Sequence, residues 1–84
     1  RSDMMKQRRI MLPTLEDAKE FVAEASKCDF DIDIFYNRVV IDAKSILGVL
    51  SLDLTRVLTV EYNGNNEDFE AYLDTRAAGK MTAA

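Results

Sequence analysis

At 84 residues, with 48% hydrophobic and 31% charged side chains, the sequence is bounded to one domain over residues 1–84 with a single modest core. Fifteen acidic against eleven basic side chains give a net charge of -4, and the basic ones are scattered apart from Lys6, Arg8 and Arg9, which argues against a nucleic-acid or anionic-membrane surface. Histidine is absent altogether, which removes the commonest general base, the commonest metal ligand and the phosphohistidine at once.

Residues 1–5 are read as lying outside the fold. Lys6 to Leu12 alternates weakly and ends in Ile10, Met11 and Leu12, a first strand that Pro13 stops. Thr14-Leu15-Glu16-Asp17 then resembles a capping box, with the Thr14 hydroxyl placed to accept from the Asp17 amide and the Asp17 carboxylate able to reach back. Leu15, Ala18, Phe21, Val22 and Ala25 recur at helical spacing to about Lys27. From Phe30 the period changes to two, with Phe30, Ile32, Ile34 and Tyr36 on one face and Asp29, Asp31 and Asp33 on the other, the pattern of a half-buried strand. Asn37-Arg38 is a hairpin turn into Val39-Val40-Ile41. Arg56 to Tyr62 is a further strand, Asn63 to Asn66 a turn, and Glu67 to about Ala78 a helix carrying Phe69, Tyr72, Leu73 and Ala77 on its apolar stripe. Gly79 stops it, and 79–84 form a tail.

This order predicts an α+β fold, β-α-β-β-α-β-α, in two layers with an antiparallel sheet covered on one face by helices. The lone Cys28 fits a reducing compartment, no apolar run is long enough to span a bilayer, and no signal peptide is visible, so the cytoplasm is the expected location.

The segment DAKSILGVLSL, Asp42 to Leu52, is too apolar for a short helix that buries one side. Ser45 can cap a helix running from Ile46 to about Asp53. On a helical period Val49 and Leu52 share one side, while Ile46, Leu47 and Leu50 cluster opposite. Either the second group meets a partner, or a loop or a dimer buries both sides. A phosphate on Ser45 would sit on free amides at the positive end of the helix dipole.

Other motifs are set aside. Asp29, Asp31 and Asp33 open like a calcium loop, but Ile34 stands where glycine is needed and Val40 where glutamate is needed. Glu67, Asp68 and Glu70 are at or near a helix start, where acids stabilise, and Lys44 reads as a solvated lysine beside Ser45. No metal site, cofactor site or enzyme constellation is expected.

DAKSILGVLSL, with FVAEASK, YNRVVID and TVEYNGNNEDFEAYL, resembles the HPr family, the small phosphocarriers of the bacterial sugar phosphotransferase system, from about Leu12 to Leu73. The resemblance implies an HPr-like open-faced two-layer sandwich with sheet order 1-4-2-3. In the family a G-L-H-x-R-P-A motif opens the first helix, and it falls here on Leu12 to Ala18. Thr14 then occupies the histidine position, Glu16 the arginine position and Asp17 the proline position. A phosphothreonine ester is not the high-energy donor that a phosphoimidazole is, and two carboxylates beside it repel phosphate, so no catalytic or relay residue is expected.

Ser45 corresponds to the serine that a dedicated kinase phosphorylates in Gram-positive relatives, and Ile46, Leu47 and Leu50 to the patch that contacts partners. The resemblance therefore implies a regulatory module resembling a histidine-lacking member used in catabolite control. Its implied partners are an HPr kinase, a transcriptional regulator or phosphotransferase-system components. Glu16 weighs against the transcriptional regulator, because the family arginine takes part in that contact. Two rivals remain open, a homodimer using the same patch without phospho-regulation and a residual phosphocarrier on Thr14.

Overall fold

In the computed structural model the described residues are 5–79, so of the tails expected at 1–5 and 79–84 all but Met5 and Gly79 lie outside them. The elements are β1 (Lys6–Ile10), α1 (Leu15–Ser26), β2 (Ile32–Tyr36), β3 (Val39–Asp42), α2 (Ile46–Leu50), β4 (Leu58–Tyr62) and α3 (Glu67–Arg76). The four strands form one antiparallel sheet in the order β1-β4-β2-β3, giving the expected α+β open-faced sandwich. Asn37 takes the left-handed conformation with φ 56° and closes the β2–β3 hairpin, a position asparagine tolerates better than most residues.

One core joins the sheet to all three helices. Ile10, Ile32, Ile34, Leu58, Val60 and Tyr62 from the strands meet Ala18, Phe21 and Ala25 of α1, Val49 of α2, and Phe69 and Leu73 of α3. An aromatic cluster fills the α1–α3 side, with Phe21 6.3 Å from Phe69 and Tyr62 edge-on to Phe69 at 5.5 Å between centroids. The lone Cys28 is buried in the same core, and burial pushes its thiol pKa up.

Several ends differ from the sequence reading. β1 stops at Ile10 because the chain then pairs with the C-terminal segment: the Met11 amide donates to the Arg76 carbonyl at 3.0 Å and the Ala78 amide to Arg9 at 2.9 Å. That same pairing ends α3 at Arg76, with Ala77 bridging to Ile10. Phe30 precedes β2 and is half-buried, its ring stacked on Tyr62 at 5.9 Å over Gly64, where a Cβ would lie 2.4 Å from the ring. β4 begins at Leu58 because Asp53 holds the preceding turn, accepting from the Thr55 amide and hydroxyl.

The register leaves two rungs across the open face of the sheet. One runs Gln7, Glu61, Asp33, Asp42, and the next Arg9, Thr59, Phe35, Val40. Three carboxylates are therefore neighbours in the first rung, and like charges directly opposite one another destabilise a sheet.

Candidate functional site

The Ser45 segment is built by a turn that redirects the chain from β3 onto the helical layer. Asp42 makes that turn, its carboxylate accepting from the Lys44 amide at 2.9 Å and its carbonyl from the Ser45 amide at 3.0 Å. Ala43 is fully buried and donates to the Ile32 carbonyl at 2.8 Å, which anchors the turn to β2. Ser45 has extended backbone angles and its hydroxyl accepts from the Gly48 amide at 3.1 Å, so it caps α2. It is half-buried.

α2 divides its apolar side chains. Val49 is 0% exposed and Leu52 7%, both packed into the core, whereas Leu47 is 80% and Leu50 38% exposed, with Ile46 half-buried. The helix is a single turn shorter than its expected extent to Asp53, because Ser51 folds back and its hydroxyl donates to the Gly48 carbonyl at 2.5 Å. Lys44 is not the solvated side chain expected from sequence. Its ammonium donates to the Cys28 carbonyl at 2.9 Å, tying the Ser45 turn to the end of α1.

The corner at Thr14 is built differently. Thr14 is exposed, with its hydroxyl accepting from the Asp17 amide at 3.1 Å. The Asp17 carboxylate does not close a capping box; it is held by Arg76 of α3 at 3.1 Å, and the same guanidinium reaches Glu20 at 3.6 Å. Arg76 also lies over the Tyr72 ring, 6.0 Å from its centroid. Burial raises the Tyr72 hydroxyl to about 12, and it donates to the Asp17 carbonyl at 3.4 Å. Glu16 is exposed, and so is Leu15 at 50%. Sequence reading assigned Leu15 to the buried stripe and gave Arg76 no role. Leu15 lies on the exposed side of the first helical turn, and a pairing between α1 and α3 carries no local signature.

Among the described residues, no helix is long and apolar enough to cross a membrane.

A protein-family model described as "PTS HPr component phosphorylation site" matches residues 15–82, beginning one residue after Thr14. Among solved structures, the phosphocarrier protein HPr of Bacillus anthracis str. Ames is 30% identical, with a TM-score of 0.63 over 88% of this chain and 94% of that one. HPr-C-His of Thermoanaerobacter tengcongensis is 26% identical, with a TM-score of 0.65 over 83% of this chain and 88% of that one. Crh, the Bacillus subtilis catabolite repression containing protein, whose crystal structure shows a dimer with a swapped domain, is similar in fold at 24% identity and a TM-score of 0.59, over 81% of this chain and 86% of that one. No curated protein sequence matches the chain. With the family model spanning most of its length and its four strands in the order β1-β4-β2-β3, the chain belongs to the HPr family of the phosphotransferase system, whose members are phosphocarriers rather than catalysts.

Proposed function

We propose that this chain is a regulatory member of the HPr family that acts by protein contact rather than phosphoryl relay, with Ser45 as the modified residue and Ile46, Leu47 and Leu50 as the surface a partner reads. One observation carries the reading: the sequence holds no histidine, while a serine caps a helix beside a leucine that is 80% exposed. Thr14 is the residue at the relay position. Its hydroxyl is engaged in capping α1, and Glu16 and Asp17 follow it by two and three residues in sequence. An ester formed on it would not pass phosphate onward as a phosphoimidazole does.

A phosphate on Ser45 has a physical place to go. It would displace the hydroxyl from the Gly48 amide and offer stronger acceptors at the same helix start, next to the exposed leucines. Added charge at the edge of an apolar patch changes which partner surfaces fit, which is the simplest gate the arrangement supplies. The partners in this reading are an HPr kinase and cytoplasmic proteins of the phosphotransferase system. Glu16 disfavours a regulator that depends on the family arginine.

The test is incubation with an HPr kinase and ATP, with the phosphate mapped by mass spectrometry beside a control HPr. Label on Ser45 is expected. A labelled control with Ser45 unmodified ends the gating idea. A parallel assay with labelled phosphoenolpyruvate and the first enzyme of the system is expected to give no label, and label on Thr14 would restore the carrier reading.

A further inference from the structure

We propose that the outer edge of β3 pairs with the β3 edge of a second copy of this chain, antiparallel about Val40, so that Arg38 of each copy stands opposite Asp42 of the other.

The two edges of the sheet are not alike. Along β1, the C-terminal segment covers the edge through the Met11–Arg76 and Arg9–Ala78 hydrogen bonds and the Ile10–Ala77 bridge. β3 ends the sheet on the other side, and among the described residues no strand pairs with its outer edge. A two-residue turn makes Tyr36 and Val39 the hydrogen-bonded pair that closes the hairpin, and such pairs alternate along an antiparallel ladder. Ile34 and Ile41 are then the next bonded pair, and the amide and carbonyl of Val40 point away from β2. Val39 and Val40 are 50% and 59% exposed. The strand carries no proline or lysine, and its one charged residue is Asp42 at the end.

Charge selects both the partner and the register. Pairing about Val40 sets Val39 against Ile41 and Arg38 against Asp42, two opposite-charge pairs flanking β-branched contacts. Shifting the register by two residues one way sets Arg38 against Lys44, and the other way sets Asp42 against Tyr36, so both pairs are lost. Arg38 makes no ion pair with any described residue. Asp42, for its part, faces Asp33 across the ladder, at the end of the rung that holds Glu61. The guanidinium of a second copy would extend that rung with the cation it lacks. A two-fold axis normal to the sheet gives a continuous eight-stranded sheet with the helices of both copies on one side. Two four-residue edges bury little area, so the dimer is weak and exchanges rapidly.

The test is sedimentation equilibrium over roughly 10 µM to 1 mM, a range suited to a small interface, on the wild type, Arg38→Asp, Asp42→Arg, and an equimolar mixture of the two variants. The wild type is expected to rise from one chain toward two. Each variant alone sets like charges opposite and should weaken association about tenfold or more. The mixture should recover it, because both cross-pairs are again of opposite sign. Circular dichroism checks that each variant folds, and Arg38→Asp, in an exposed turn, decides alone if Asp42→Arg does not. A monomer across the range overturns the proposal, as does a dimer indifferent to Arg38→Asp or a folded mixture that fails to recover. A dimer dispersed by Leu47→Asp but not by Arg38→Asp overturns it too and assigns association to the α2 patch. This outcome is independent of kinase labelling at Ser45.

Discussion

Gly48 of α2 presses its backbone against Ile41 of β3, where a Cβ would lie 2.5 Å from Ile41 Cγ2 and 3.2 Å from the Ser45 hydroxyl. The contact lets α2 sit low enough on the sheet to bury Val49 while Leu47 stays out. Gly48→Ala should therefore destabilise the protein by about 1 kcal/mol, as an overpacking cost of about 1–3 kcal/mol outweighs the better helix propensity of alanine, at most about 1 kcal/mol. Urea unfolding measures it. Adding Ile41→Ala removes the colliding methyl group, so the double variant should lose less than the sum of the two single losses. Additive losses would show that the contact does not set the position of α2.

Thr14 and Ser45 are both helix caps, and a shared stability cost should separate from a difference in modification. Each hydroxyl accepts one orphan amide, from Asp17 and Gly48 respectively, both at 3.1 Å. Alanine at either position should cost about 1 kcal/mol, the usual worth of such a cap. If Ser45 is the modified residue, Thr14→Ala leaves kinase labelling intact and Ser45→Ala abolishes it, as read by intact mass. Loss of label in Thr14→Ala with the fold retained would place the modification at the wrong helix.

What was legible in the sequence was what nearest neighbours in the chain decide. Thr14 and Ser45 cap the helices that follow them because a cap reaches only three residues ahead. The division of the segment after Ser45 into Val49 and Leu52 against Leu47 and Leu50 followed from helical period alone. Contacts between distant segments were not legible. Met11 and Leu12 look like a continuing strand, yet the backbone there turns to the C-terminal segment. Asp17 looks like the far half of a capping box and instead meets Arg76, and Lys44 looks solvated and instead ties to Cys28. In each case a polar group with an acceptable local role found a better partner that only the tertiary fold brings near.

Lys6 joins β1 to the start of α3, and its loss should be visible against pH. Its ammonium donates to Glu70 at 2.8 Å, to Asn65 at 2.7 Å and to the Gly64 carbonyl at 3.0 Å. The Lys6 hydrogen bond, helped by the Tyr62 hydroxyl, holds the Glu70 carboxyl below its ordinary range against a smaller opposing effect of burial. A lowered native value means the contribution is complete above the unfolded value, about 4.3, and disappears as pH falls through the native one. Because the two side chains are 38% and 30% exposed, the pair is worth no more than roughly 0.5–1 kcal/mol. Urea midpoints should drop as pH falls from about 5 to 3, and Lys6→Met should flatten part of that drop. An unchanged slope would assign the acid sensitivity to other carboxylates.

Asp33 should respond in the opposite sense. Burial pushes its carboxyl up first, and the charges of Glu61, Asp42 and Asp31 push it further. A raised native value for an acid means that the ionised form is disfavoured in the fold, so the cost is present at neutral pH and relieved as the group protonates. Asp33→Asn removes the middle charge of the Glu61–Asp33–Asp42 rung and keeps the side-chain shape. It should stabilise the protein at pH 7 by about 0.2–1 kcal/mol, the scale of a like-charge cross-strand pair. Below the unfolded value of about 3.9 the advantage should fade, because the wild-type carboxyl is then protonated in both states. Urea unfolding at pH 7 and pH 3, at micromolar protein, provides both numbers. A loss of stability at pH 7 would mean that Asp33 holds a cation in the folded chain, and the rung would then be a stabilising feature rather than a tolerated repulsion.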